Sequence, residues 1–133
     1  LLGDVPPRLT KIESRLDIRR ASNGHRRARV SETGKYASTI IEKKESYGAN
    51  TLAYLKLETG RMHQIRAHCL HIGFPIAGDK EYGSTDANRH LREHGLSRLF
   101  LHSFYLQFKT SLCDVDVSSP LPGELKTLLT SLN

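Results

Sequence analysis

Cysteine is scarce in this chain of 133 residues, which carries only Cys69 and Cys113. Two thiols build neither a disulfide framework nor a zinc quartet, so reduced cysteines in a cytoplasmic protein are expected. Long apolar runs are lacking as well. None approaches the roughly 20 residues that cross a bilayer as a helix, so no membrane-spanning helix is expected. The opening Leu1-Leu2-Gly3-Asp4-Val5-Pro6-Pro7 has neither the basic nor the apolar region of a signal peptide. Internal repeats and low-complexity tracts are absent. With 38% hydrophobic and 26% charged residues, the composition is too ordinary for an intrinsically disordered chain. The length suits one small domain or part of a larger one.

Acidic residues are in deficit, 14 Asp+Glu against 20 Lys+Arg, giving a net charge of +6. The excess is concentrated. Arg15, Arg19, Arg20, Arg26, Arg27 and Arg29 fall in one short segment with His25, opposed there only by Asp17. Such a segment attracts phosphate whatever the base sequence, and Arg19, Arg20, Arg26 and Arg27 are its candidate RNA contacts. No amphipathic helix with large apolar residues accompanies the charges, which disfavours a membrane surface.

Residues 1–27 read as a basic connector, with Pro6-Pro7 and Ser22-Asn23-Gly24 breaking any period and Leu9, Ile12 and Leu16 suited to a short helical turn. Residues 28–133 read as sheet and helices. Extended runs are expected over 36–47 and 51–59, joined at Gly48-Ala49-Asn50, the second buried on both faces or nearly so. Met62, Ile65, Cys69 and Ile72 are spaced for one apolar helical stripe that Gly73 ends. Ser84-Thr85-Asp86 offers caps for a short polar helix closed by Gly95. Leu99 to Lys109 reads as one apolar strand and Leu112 to Ser118 as its alternating neighbour, and Pro120 to Pro122 opens a helix carrying Leu125, Leu128, Leu129 and Leu132. The expected class is α+β: a mixed, mainly antiparallel sheet with two or three helices.

The most specific string is Thr59-Gly60-Arg61-Met62-His63-Gln64-Ile65-Arg66, set where a strand gives way to a helix. Glycine permits a sharp turn there and leaves Arg61 projecting from the helix start. The string continues through His68, His71-Ile72-Gly73-Phe74-Pro75-Ile76 and Gly78-Asp79-Lys80-Glu81-Tyr82-Gly83, and Arg98-Leu99-Phe100-Leu101-His102-Ser103 follows downstream. Together these closely resemble the pseudouridine synthase family that contains the large-subunit ribosomal enzymes. The corresponding family stretches read T-G-R-x-H-Q-I-R-x-H, G-x-P-I, D-x-x-Y-G and R-L-x-L-H-[AS]. The segment Arg89 to His94, inserted before the last of these, is most similar to the C-type enzymes.

Other chemistries fit less well. His63, His68 and His71 do not share one helical face, and no H-E-x-x-H or spaced cysteine pair accompanies them, so no metal site is expected. Cys69 falls on the apolar stripe and makes a poor nucleophile. A non-catalytic RNA-binding module is the alternative, since a basic arm and a sheet suffice for it.

The resemblance implies a reaction that needs an aspartate in R-L-D-x-x-T-S-G. Arg15-Leu16-Asp17 invites that assignment, but Ile18-Arg19-Arg20-Ala21-Ser22-Asn23-Gly24 departs from the motif, and Asp17 stands too close to Arg61 in sequence. The expectation is a C-terminal part of the catalytic domain, with its aspartate upstream and little activity alone. The resemblance further implies that ribosomal RNA is the partner, that a monomer acts without cofactor or metal, and that a uridine is flipped out and rejoined to its sugar through carbon 5. Arg61 is then expected to pair with the upstream carboxylate. His63, Gln64 and Arg66 stand where they contact RNA, although helix-start hydrogen bonding accounts equally well for His63 and Gln64. Leu101 and His102 resemble pocket-lining positions, and a satisfied core histidine is an equal reading of His102.

Overall fold

The computed structural model describes residues 1–20 and 24–133. The expected break at Ser22-Asn23 lies outside the described residues. Four strands form one antiparallel sheet: β1 (Lys11–Arg20), β2 (Arg26–Val30), β3 (Lys35–Tyr47) and β4 (Asn50–Leu57), in the spatial order β2-β1-β3-β4. Helix α1 (Gln64–His71) packs on it. Helix α2 (Thr85–Glu93), a hairpin of β5 (Tyr105–Lys109) and β6 (Asp114–Ser118), and helix α3 (Gly123–Ser131) complete the chain. Every ladder among the described residues is antiparallel and three helices are present, in agreement with the α+β expectation.

The connector reading of residues 1–27 is corrected. Lys11–Arg20 is a strand in the interior of the sheet, with Ile12 and Leu16 buried where a helical turn was expected. A spacing of four positions puts two residues on one face of either a helix or a strand, and cross-strand pairing with β2 and β3 decides for the strand. Strand β4 also differs from expectation: it lies at the sheet edge and is mostly half-buried, with Thr51 alone fully covered.

Two apolar clusters hold the fold. The first joins Leu16, Ala28, Ala37 and Tyr82 to Ala67 of α1. Three alanines at that contact let the helix backbone approach the sheet closely. The second gathers Ala77, Leu91, Leu96, Leu125 and Leu128, tying α2 and α3 together. Ser84 starts α2 by accepting the Ala87 N–H, and Gly95 beyond its end takes a left-handed φ of 92°. The expected strand from Leu99 to Lys109 is shorter: only Tyr105–Lys109 pairs, with all five residues exposed.

Candidate active site

The chain leaves β4 at Leu57 and enters α1 at Gln64, and the intervening turn is held by polar side chains. Thr59 Oγ1 accepts the Ser38 N–H at 3.0 Å and donates to Gln64 Oε1 at 2.7 Å. Gln64 Oε1 also accepts the Arg61 N–H at 3.0 Å, satisfying a donor that a helix start leaves open. On the other end of the amide, Gln64 Nε2 donates to the Ser38 carbonyl at 2.9 Å and to Thr39 Oγ1 at 3.0 Å. Thr39 Oγ1 lies 3.0 Å from His68 Nδ1. A hydroxyl oxygen can accept twice, so Thr39 Oγ1 accepts from Gln64 and either donates to or accepts from Nδ1 according to the His68 tautomer. Burial, with His71 nearby, holds the His68 pKa below its ordinary value, consistent with a neutral ring.

This network bears on two expectations. The residues that α1 buries are Gln64, Ala67, His68 and Cys69, whereas Met62, Ile65 and Ile72 of the expected stripe are half-buried. Gln64 is 3% exposed with its amide fully engaged, so it braces the turn, as the helix-start hydrogen-bonding reading has it. The left-handed residue of the turn is His63, at φ 50°, not Gly60. Histidine is among the few non-glycine residues enriched in that region. Replacing Thr39 by valine cuts the link between Gln64 and His68 and leaves two buried polar groups short of a partner. Thermal and urea unfolding are expected to show a loss of about 1–3 kcal/mol, and an unchanged midpoint would mean that the network adds nothing to the fold.

The two arginines of the motif have different surroundings. Arg61 is exposed, with Nε donating to the Tyr36 carbonyl at 3.1 Å. Arg66 is 16% exposed and forks onto Asp79, Nε to Oδ2 at 2.7 Å and Nη2 to Oδ1 at 2.8 Å. Its Nη2 reaches Glu81 as well, at 2.9 Å. The guanidinium lies over the Tyr82 ring, 4.6 Å from the centroid. Arg66 is thus engaged in an ion-pair site.

Asp79 is buried. Burial alone raises a carboxyl pKa, but the Arg66 guanidinium and the Tyr82 and Glu81 N–H groups, each at 3.0 Å, outweigh it and hold Asp79 below the ordinary range. The loop that carries it is tight. A Cβ on Gly83 would fall 2.3 Å from the Asp79 carbonyl oxygen, so only glycine fits there. Tyr82 is 2% exposed; its hydroxyl accepts the Ala28 N–H at 2.8 Å and sits 3.2 Å from His63 Nδ1.

An apolar cavity of about 460 Å³ opens beside α1, with Tyr54, Leu55, Ile65, Phe100, Leu101 and His102 among its lining residues. Leu101 and His102 therefore share a pocket. His102 is half-buried, not a core residue, and its Nε2 lies 3.0 Å from the Ser119 carbonyl. Cys69 is buried and its thiol is pushed up to about 12 by burial, which removes it as a nucleophile. Asp17 lies on β1 opposite Arg29, and the Arg19 guanidinium at 3.0 Å holds its carboxyl below the usual range. Arg19, Arg20, Arg26 and Arg27 are all exposed. Sequence reading missed the ion-pair site of Arg66 and Asp79 and the position of Tyr82 between them and β2; the signal for Asp79 and Tyr82 was their place in the D-x-x-Y-G string.

The sequence profile described as RNA pseudouridylate synthase matches residues 5–71, half of the chain. The chain belongs to that family. It is 43% identical over 107 residues to the ribosomal large subunit pseudouridine synthase C of Haemophilus influenzae, an alignment covering 80% of this chain and 33% of the relative. The enzyme of the same name from Haemophilus ducreyi is 35% identical over 132 residues, 98% of this chain and 41% of the relative. Among solved structures, Human RNA Pseudouridylate Synthase Domain Containing 1 superposes with a TM-score of 0.61 at 26% identity, covering 90% of this chain and 51% of that one. The chain thus spans about a third to two fifths of the length of these curated relatives.

Proposed function

We propose that the protein carrying this chain is a pseudouridine synthase that isomerises uridine in large-subunit ribosomal RNA. The supporting observation is that the stretch this chain shares with enzymes of that name folds into a braced turn that carries Arg61 and leads into α1, whose Ile65 lines an apolar cavity. Uridine flips into the cavity, its N1–C1′ bond breaks, the base turns, and a C5–C1′ bond forms. The proton on C5 leaves and N1 regains one, so the step has no net redox change and no hydrolysis. We assign no metal or cofactor to it and propose that the protein acts in the cytoplasm as a monomer.

The reaction needs a carboxylate, and R-L-D-x-x-T-S-G does not occur in this chain. We place that group in a segment upstream, with Asp17 left as a partner of Arg19. We give the counter-ion role to Arg61: it is exposed and bonds the Tyr36 carbonyl through Nε, which leaves its other guanidinium donors open to an arriving carboxylate. Arg66 is already engaged by Asp79 and Glu81, whose charges would repel a third carboxylate, and it ties their loop to α1. His63 then faces RNA, together with Arg19, Arg20, Arg26 and Arg27, and Leu101 and His102 line the uracil pocket. Deleting the gene is expected to remove one or more pseudouridines from large-subunit ribosomal RNA, read by carbodiimide modification and primer extension; an unchanged map would refute the assignment.

A further inference from the structure

The end of the β1–β2 hairpin closes against α1 around a cavity of about 400 Å³. Its rim is cationic, with Arg19, Arg20, Arg27 and Arg29, and Ala67 and Leu70 of α1 supply an apolar wall. The strand register sets arginine against arginine, Arg19 opposite Arg27 and Arg20 opposite Arg26. Like charges facing each other across two strands oppose folding, and these exposed residues contribute nothing to the core. Asp17, opposite Arg29 and 3.0 Å from Arg19, is the acid that offsets them. The hairpin is also anchored. The Arg27 guanidinium lies 4.4 Å from the Tyr82 centroid, and the Ala28 N–H donates to the Tyr82 hydroxyl, which itself adjoins His63.

This cavity is separate from the one lined by Leu101 and His102. Ile65 borders the latter, while Ala67, Leu70 and His71 border the arginine cavity. At about 100° per residue they lie roughly 140–240° around the helix from Ile65. Cations beside an apolar wall, in a volume typical of small-ligand sites, match the two halves of a nucleotide: a phosphate for the guanidiniums and a base for the wall.

We propose that the arginine cavity is a second RNA seat, holding one unpaired nucleotide with its phosphate on Arg20 and Arg27 and its base against Leu70. The proposal rests on the RNA-substrate reading above. Tyr82 joins this seat to the motif turn, so a strand seated here is held in a fixed relation to His63.

The test uses the full-length protein and a fluorescein-labelled single-stranded RNA of alternating adenosine and cytidine, which offers no uridine to the reaction. Anisotropy titrations over a range of salt compare wild type with a double variant (Arg20→Glu, Arg27→Glu), with Leu70→Gln, and with a control of equal charge change (Lys109→Glu, Lys126→Glu). The arginine variant is expected to bind at least about tenfold more weakly, with a salt slope lower by about 0.7 for each phosphate that is no longer neutralised. Leu70→Gln is expected to weaken binding about fivefold or more at an unchanged slope, as removing the apolar wall under a base does. Equal reductions in the arginine and control variants, or full affinity in Leu70→Gln, overturn the seat. If every variant binds as wild type does while pseudouridine still forms, the seat alone fails; if wild type binds no RNA and forms no pseudouridine, the enzyme reading fails with it.

Discussion

Arg61→Ala in the full-length protein is expected to lower single-turnover pseudouridine formation by at least about 100-fold, near 2.7 kcal/mol of transition-state free energy, and Arg61→Lys is expected to recover only part of that loss. Alanine leaves the upstream carboxylate without its counter-ion, so its pKa rises and less of it is present as the reactive anion. Lysine keeps the charge but loses the planar fork. Arg61 is exposed and bonds the rest of the fold through the Tyr36 carbonyl, so both variants are expected to melt close to wild type. Melts recorded alongside separate chemistry from folding, with assays run well below each midpoint. Near-normal turnover in Arg61→Ala would leave Arg61 as a surface cation.

Asp79→Ala is expected to cost about 3–5 kcal/mol of stability, the usual consequence of removing one partner from a buried ion pair. Arg66 is left largely covered without its main acceptor, and the Glu81 and Tyr82 N–H groups lose theirs. Against a typical total of about 5–15 kcal/mol, that loss removes a large share of the stability. Asp79→Asn keeps one acceptor oxygen and is expected to lose less. The acid limb supplies a second readout. Asp79 has a depressed carboxyl pKa in the folded state, so it contributes stability above the unfolded value of about 3.9 and loses it as pH falls through the folded value. In Asp79→Asn that part of the decline below about pH 4 is expected to vanish. An Asp79→Ala variant that melts like wild type would show that Tyr82 and the neighbouring apolar cluster suffice to hold the loop.

Parts of this fold were legible because their signals are local. Ser84 and Gly95 bracket α2, Pro122 stands before α3, and the alternation after Thr51 marks β4. Strand β1 was not legible, since Ile12 and Leu16 satisfy helical and extended periods equally and only pairing with β3 decides between them. The stripe expected on α1 failed for a related reason. Ser38 and Thr39 of β3 supply partners that let Gln64 and His68 be buried, and a helix read by itself cannot show this. The run from Leu99 reads as one apolar strand through Lys109, yet only Tyr105–Lys109 pairs, and Phe104, Tyr105, Leu106 and Phe108 are more than two fifths exposed. For the site, the motif string located the turn, Arg61 and Arg66 correctly. It carried no information on which arginine is fixed, because that depends on Asp79 and Tyr82 folding back from a later loop.

The most direct measurement is tritium release from ribosomal RNA labelled at carbon 5 of uridine, because forming the C5–C1′ bond frees that hydrogen to water. Full-length protein, the 133-residue chain alone, and full-length protein with its upstream R-L-D aspartate changed to alanine would be assayed side by side on protein-free large-subunit RNA. Release by the full-length protein alone is the predicted result. Release by the 133-residue chain would contradict an upstream carboxylate and return attention to Asp17, and no release from the full-length protein would leave an RNA-binding module in place of an enzyme.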